Sequence, residues 1–162
     1  NLGPSWYASF MLTEIQGDLF ETKAFVIGHG VNTHGVMGAG VAAIVRNKFP
    51  AAYNEYIRQY HAGTLLPGSF HGVWAQKPDS SSRVWIYNLA TQDLPGPHAK
   101  LGWIVESVRK ALDEVSANGF ETFAIPRLGC GIGGLDWELQ VKPALEILAL
   151  AYPDVTIEVY FL

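Results

Sequence analysis

Residues 126–137 read PRLGCGIGGLDW, with four glycines in the six positions from Gly129 to Gly134. Before this stretch, ETFAIP (121–126) has the composition of a buried strand; after it, DWELQVKPALEILALAY, from about Asp136, has the apolar spacing of a helix. A glycine-rich turn from strand to helix is where open α/β sheets bind ligands, beyond the carboxyl ends of the strands. Glycine permits positive φ angles that turn successive backbone N–H groups inward, and it has no side chain to block an anion. The helix N-terminus adds partial positive charge. A second segment of this kind, GHGVNTHGVMGAGVAAIV at 28–45, places Gly35, Gly38 and Gly40 ahead of another expected helix. One such turn is common in connections with no ligand. Two together favour a site that holds phosphate through backbone amides.

Outward from these two segments, FMLTEI (10–15) and AFVIGH (24–29) read as strands. GSFHGVWAQ and RVWIYNLAT read as two more, joined by the polar loop KPDSSSR (77–83), and DVTIEVYFL closes the chain as a last strand. Helices are expected from about Gly40, over FPAAYNEYIRQYHAG, over HAKLGWIVESVRKALDEVSANG and from about Asp136. In the second of these, Pro50 suits the first turn and Gly63 the end, with Phe49, Tyr53, Tyr56, Ile57 and Tyr60 on one side. The order β, β, α, α, β, β, α, β, α, β implies an α/β fold of three layers, a mixed central sheet with helices on both faces. Strand order is not readable from the sequence. Residues 1–9 are set apart as an arm or tag remnant, and residues 10–162 form one domain.

The 162 residues suit a single domain. A formal net charge of −4, with 16% charged residues and no basic run, argues against a surface that neutralises duplex nucleic acid. The single cysteine, Cys130, rules out an internal disulfide and any cysteine-based zinc site, so no metal is expected and a reducing, cytoplasmic setting fits. No apolar run approaches the ~20 residues of a membrane span. Neither glycine segment has the GxxxxGK[ST] pattern of an NTP-hydrolysing loop. Residues 38–43 satisfy a loose GxGxxA pattern, but the position about twenty residues later, in YIRQYHAG, has no acidic residue for a ribose.

Taken in order, QGDLF (16–20), HGVNTHGVMGAGVA (29–42), FP (49–50), YNLATQ (87–92), PRLGCGIGGLDW (126–137) and VYFL (159–162) resemble the macrodomains that bind ADP-ribose. Within that family they look most like the branch that includes terminal ADP-ribose protein glycohydrolase and the DNA-ADP-ribose glycohydrolase antitoxins. The resemblance implies a three-layer α/β/α macrodomain, no cofactor, and ADP-ribose or an ADP-ribosylated protein as partner, with the chain acting as a monomer. It gives Asp18, with the Leu19 backbone alongside, to the adenine amine and Tyr160 or Phe161 to the adenine face. It gives Met37, Gly38, Ala39, Gly40 and Val41, with Thr91, Leu128, Gly129, Cys130, Gly131, Ile132 and Gly133, to the diphosphate and distal ribose. Asn32 would then bond that ribose near its anomeric carbon.

Two departures bear on chemistry. The related hydrolases have a lysine where this chain has Gln92, and one has an aspartate where this chain has Gly133. Glutamine can neither form a Schiff base nor act as a base. The resemblance therefore implies removal of ADP-ribose from protein carboxylates, with Asn32 and Gln92 positioning a water or the scissile bond and His34 as the nearby side chain suited to base work. The alternative is a non-catalytic reader of ADP-ribose. Asp136 is expected to cap the following helix, and Cys130 is read as a small loop residue although a helix N-terminus can lower a thiol pKa.

Overall fold

The computed structural model describes residues 11–162, so the expected arm at 1–9 lies outside the described residues. Six strands and four helices follow the expected order: β1 Leu12–Gln16, β2 Val26–Asn32, α1 Gly40–Lys48, α2 Pro50–Ala62, β3 Phe70–Gln76, β4 Arg83–Gln92, α3 Leu101–Ala117, β5 Thr122–Pro126, α4 Lys142–Ala149 and β6 Thr156–Phe161. The sheet order is β1-β6-β5-β2-β4-β3. Every neighbouring pair is parallel except the β3–β4 hairpin, whose loop is the polar KPDSSSR stretch.

Alternation along the central strands builds the two cores. Val26, Tyr87, Leu89, Phe123, Ile125, Ile157 and Val159 meet Ile104, Val108, Ala111 and Leu112 of α3 and Leu145 of α4 on one face. Ile27, Val84, Ile86 and Ala124 meet Val45, Phe49 and Ala52 from the α1–α2 side on the other. Successive strand residues point to opposite faces, so a strand buried on both sides reads as a continuous apolar run. The α2 helix ends at Gly63, which is left-handed with φ +74.

The last helix departs from expectation. Trp137–Val141 forms a π-type turn before α4 begins at Lys142. Pro143 has no N–H to bond Leu139, so an ordinary helix cannot run unbroken through this point. The wider turn is closed instead by Val141 N–H to the Asp136 carbonyl at 3.2 Å.

A buried polar chain crosses the α1–α2 side of the sheet. His29 on β2 donates from Nε2 to Asn88 Oδ1, and Asn88 Nδ2 faces the Ala52 carbonyl at 3.0 Å and His71 Nε2 at 2.8 Å. Burial pushes both imidazoles down to about 4. Between about pH 6.5 and pH 4 the unfolded chain then binds protons that the folded chain does not, so folding stability is complete above that window and falls as the pH drops through it. Urea unfolding measured at several pH values should show this decline beginning below about pH 6.5, where most carboxylates are still ionised. A stability that stays level down to about pH 5 would count against it.

Candidate functional site

The carboxyl ends of β5, β2 and β4 lie side by side mid-sheet, and a cavity of about 870 Å³ opens beyond them. That volume falls within the range of small-ligand sites. Val36 and residues 38–42 form one wall, residues 128–133 form the other, and Asn32, Thr91 and Gln92 line the space where the strands end. In the β2–β4 register Asn32 stands opposite Gln92, with an irregularity between Val31 and Asn32. Such a bulge re-aims a side chain at the end of a ladder.

The two amides are held in opposite senses. Asn32 Oδ1 accepts the His34 N–H at 2.9 Å and lies 2.9 Å from the Tyr56 hydroxyl, while Nδ2 donates to the Val36 carbonyl at 2.8 Å. The carbonyl side of Asn32 is occupied and one amide proton is left over. Gln92 Nε2 donates to the carbonyls of Leu94 at 2.6 Å and Gly96 at 3.1 Å, which uses both protons and leaves Oε1 as an acceptor. The cavity is therefore offered a donor by Asn32 and an acceptor by Gln92.

On the first wall, α1 starts at Gly40 and its N-cap, Ala39, makes no side-chain capping bond. The first N–H groups of that helix lack the usual side-chain partner and border the cavity, an arrangement suited to an anion. On the second wall the backbone turns back on itself. Leu135 N–H bonds the Gly129 carbonyl at 2.9 Å and Ala99 N–H bonds the Gly133 carbonyl at 3.2 Å. A Cβ added at Gly133 would lie 2.7 Å from the Gly129 oxygen and 2.8 Å from Ala99 Cβ. No side chain fits there unless backbone moves.

Below this loop, Glu14 of β1 gathers three donors: Lys142 Nζ at 2.8 Å, Trp137 Nε1 at 2.8 Å and Arg127 Nη2 at 3.1 Å. Burial alone would raise the Glu14 carboxyl, but these bonds outweigh it and hold it below its ordinary value. The cluster ties β1, the end of β5 and the entry to α4 together. Asp136 accepts the Leu139 N–H at 2.8 Å while Gln140 accepts the Asp136 N–H at 2.9 Å, so the expected cap is present and reciprocal. Cys130 departs from the idea of an activated thiol, because burial, reinforced by Asp136, pushes it up to about 11.

Of the residues singled out in the sequence, Asn32, Gln92, Thr91, residues 38–41 and residues 128–133 all line the cavity. Five others do not. The Met37 side chain is buried with Val31 and Tyr56, and Leu19 is buried in the α1–α2 core. His34 is exposed and outside the cavity lining. Asp18 follows β1 at the same end of the sheet, where Oδ1 accepts the Phe20 N–H at 2.9 Å and caps a short 3-10 turn. Tyr160 lies on β6 with its hydroxyl 2.9 Å from Thr22 Oγ1 and 3.0 Å from Glu158, beside a separate hollow of about 700 Å³. Its neighbour Phe161 points the other way, under the Arg127 guanidinium at 4.2 Å. Sequence reading passed over Arg127 and the strap at Pro95 and Gly96, which also line the cavity. The strap's only sequence signal was its proline and glycine content.

Residues 29–144 match the family model described as "Macro domain". The chain belongs to the macrodomain family. The macrodomain is 29% identical over 141 residues to a DNA ADP-ribosyl glycohydrolase of Thermus aquaticus, covering 85% of this chain and 39% of that relative. It thus spans about two-fifths of the length of that longer protein. It is 32% identical to an ADP-ribose 1''-phosphate phosphatase of Candida albicans, covering 79% of this chain and 88% of the relative. Among solved structures, Thermosipho africanus DarTG in complex with ADP-ribose superposes with a TM-score of 0.79 at 25% identity, over 92% of this chain and 41% of that one.

The crowding at Gly133 gives a direct test of the second wall. Gly133→Ala should lower stability by about 1–3 kcal/mol, the usual cost of overpacking, and Gly133→Asp should cost at least as much. Denaturant midpoints equal to wild type would show that the loop accommodates a side chain after all.

Proposed function

We propose that this macrodomain binds ADP-ribose in the cavity and releases ADP-ribose from modified protein carboxylates. The observation that carries this reading is the pairing of two backbone-lined walls, one ending in an uncapped helix N-terminus, with two oppositely oriented amides where β2 and β4 end. Among the described residues, Arg127 is the only cationic side chain lining the cavity, and its guanidinium is already bonded to Glu14. A diphosphate would be held mainly by N–H groups. The Thermosipho africanus relative, solved with ADP-ribose, supports the same ligand here.

The proposed chemistry is modest. Water attacks the anomeric carbon, the bond from that carbon to the ester oxygen breaks, and the carboxylate leaves with the electron pair. Gln92 Oε1 accepts a hydrogen bond from the water, Asn32 donates to the ribose, and a phosphate oxygen of the substrate takes the proton. A general base contributes ~10²- to 10⁴-fold, whereas orientation contributes as much or more, so a cavity without lysine can still cleave a labile ester. The same lack of a lysine and of an acid at Gly133 favours the second reading, a non-catalytic reader of ADP-ribose.

Calorimetry should show ADP-ribose binding more tightly than AMP or NAD; equal affinities would sink the binding assignment. Incubation with glutamate-, serine-, arginine- and thymidine-linked ADP-ribose should give release from the glutamate ester. Release from none would leave the reader. Where release occurs, Gln92→Ala should lower kcat more than it raises the dissociation constant for ADP-ribose, and equal losses in the two would contradict its role.

A further inference from the structure

Tyr56 does not line the cavity, yet its oxygen lies at the centre of the first glycine segment. It is a residue of α2, completely buried, with its ring packed beside Met37, Val31 and Ala90. Its hydroxyl reaches the end of β2, 2.8 Å from the Asn32 carbonyl and 2.9 Å from Asn32 Oδ1. Burial pushes the phenol up to about 12, against an opposing pull from the Val36 and Gly35 backbone. The hydroxyl therefore stays protonated at neutral pH and keeps its proton to donate. It donates toward Asn32.

This arrangement has consequences for Asn32. An amide side chain can be turned over with little change in shape, and only its hydrogen-bond partners decide which end faces a ligand. Here Oδ1 accepts the His34 N–H and shares the single proton of the Tyr56 hydroxyl with the Asn32 carbonyl, while Nδ2 has the Val36 carbonyl. Turning the amide over would set Nδ2 against the His34 N–H and Oδ1 against the Val36 carbonyl. We infer that Tyr56 is the positioning residue of the cavity: from outside the lining, its hydroxyl anchors the Oδ1 end of Asn32 so that an amide proton, and not the carbonyl, is presented to the ligand. This rests on reading the cavity as an ADP-ribose site, and it deepens that reading by assigning Asn32 as a donor. The group it meets is then an oxygen acceptor of the distal ribose.

The test uses the intact chain, Tyr56→Phe, which keeps the ring, and Asn32→Asp, which keeps acceptors for Tyr56 and His34 but has no proton to give. In the ligand-free wild type, the Asn32 side-chain amide should give two resolved, slowly exchanging proton signals by NMR. In Tyr56→Phe they should move and exchange faster, while those of Asn118 stay in place. Calorimetry should show both variants losing about threefold to tenfold in ADP-ribose affinity, the scale of one hydrogen bond, with AMP, which lacks the distal ribose, affected less than about twofold. Tyr60→Phe, whose ring packs on Gly35, should behave as wild type. Unchanged Asn32 signals in Tyr56→Phe, or equal losses for AMP and ADP-ribose, would overturn the inference. So would wild-type ADP-ribose affinity in Asn32→Asp. A wild type that binds no ADP-ribose fails the functional reading, and the ligand-free spectra then decide the positioning role by themselves.

Discussion

The approach of Gly133 to Gly129 and Ala99 is the constraint on which the cavity depends. Ala99 is bridged to Gln92 at the end of β4, its N–H bonds the Gly133 carbonyl, and the next residue, Lys100, bonds back to Thr91. One short stretch before α3 thus fastens the second wall to the end of β4. Gly133 lies against the Gly129 backbone and the Ala99 methyl, closer than an added Cβ allows. A side chain at Gly133 would alter the wall before it could contribute any chemistry of its own.

This constraint also accounts for the chemical character of the site. The lining includes one cationic side chain, already engaged, and one carboxylate that caps a helix. On the proposed reading, recognition of a charged ligand would fall to N–H groups whose orientation is set by the fold. The two amides at the ends of β2 and β4 follow the same logic. Gln92 is fixed by carbonyls of its own loop, and Asn32 by groups of its own loop together with the Tyr56 hydroxyl, so Asn32 offers a proton and Gln92 a lone pair. Neither can serve as a nucleophile or a base, so any catalysis at this site works by orientation.

Much of the architecture was legible in the sequence because it rests on local rules. The α/β order, the hairpin at 77–83, the Pro50 start, the Gly63 stop and the Asp136 cap each follow from residues within a few positions of one another. The two glycine segments that wall the cavity were legible as well, since two such clusters between strands and helices in one chain favour a site where one alone does not. The π-turn before α4 was less visible: Pro143 marks the break, but a widened turn and an ordinary helix end share that signal. Tyr160 or Phe161 was expected to offer a ring to adenine; the Tyr160 hydroxyl turns toward Thr22 and Glu158, and the Phe161 ring lies under Arg127. In an aromatic pair at the end of a strand, alternation guarantees that the two rings point apart but not which one faces which side.

By itself, then, the sequence determined the kinds of element, their order, the two glycine segments and the resemblance to macrodomains, because each depends on short-range periodicity or on residue types in fixed succession. Tertiary structure alone decided which strands lie side by side and which way each polar group points. The β1-β6-β5-β2-β4-β3 order brings Asn32 and Gln92, sixty positions apart, into one register. Tyr56, one of several aromatic residues along the α2 stripe, reaches Asn32 only because α2 packs against that face of the sheet. Hydrogen-bond direction depends on partners distant in the chain, and no local pattern encodes it.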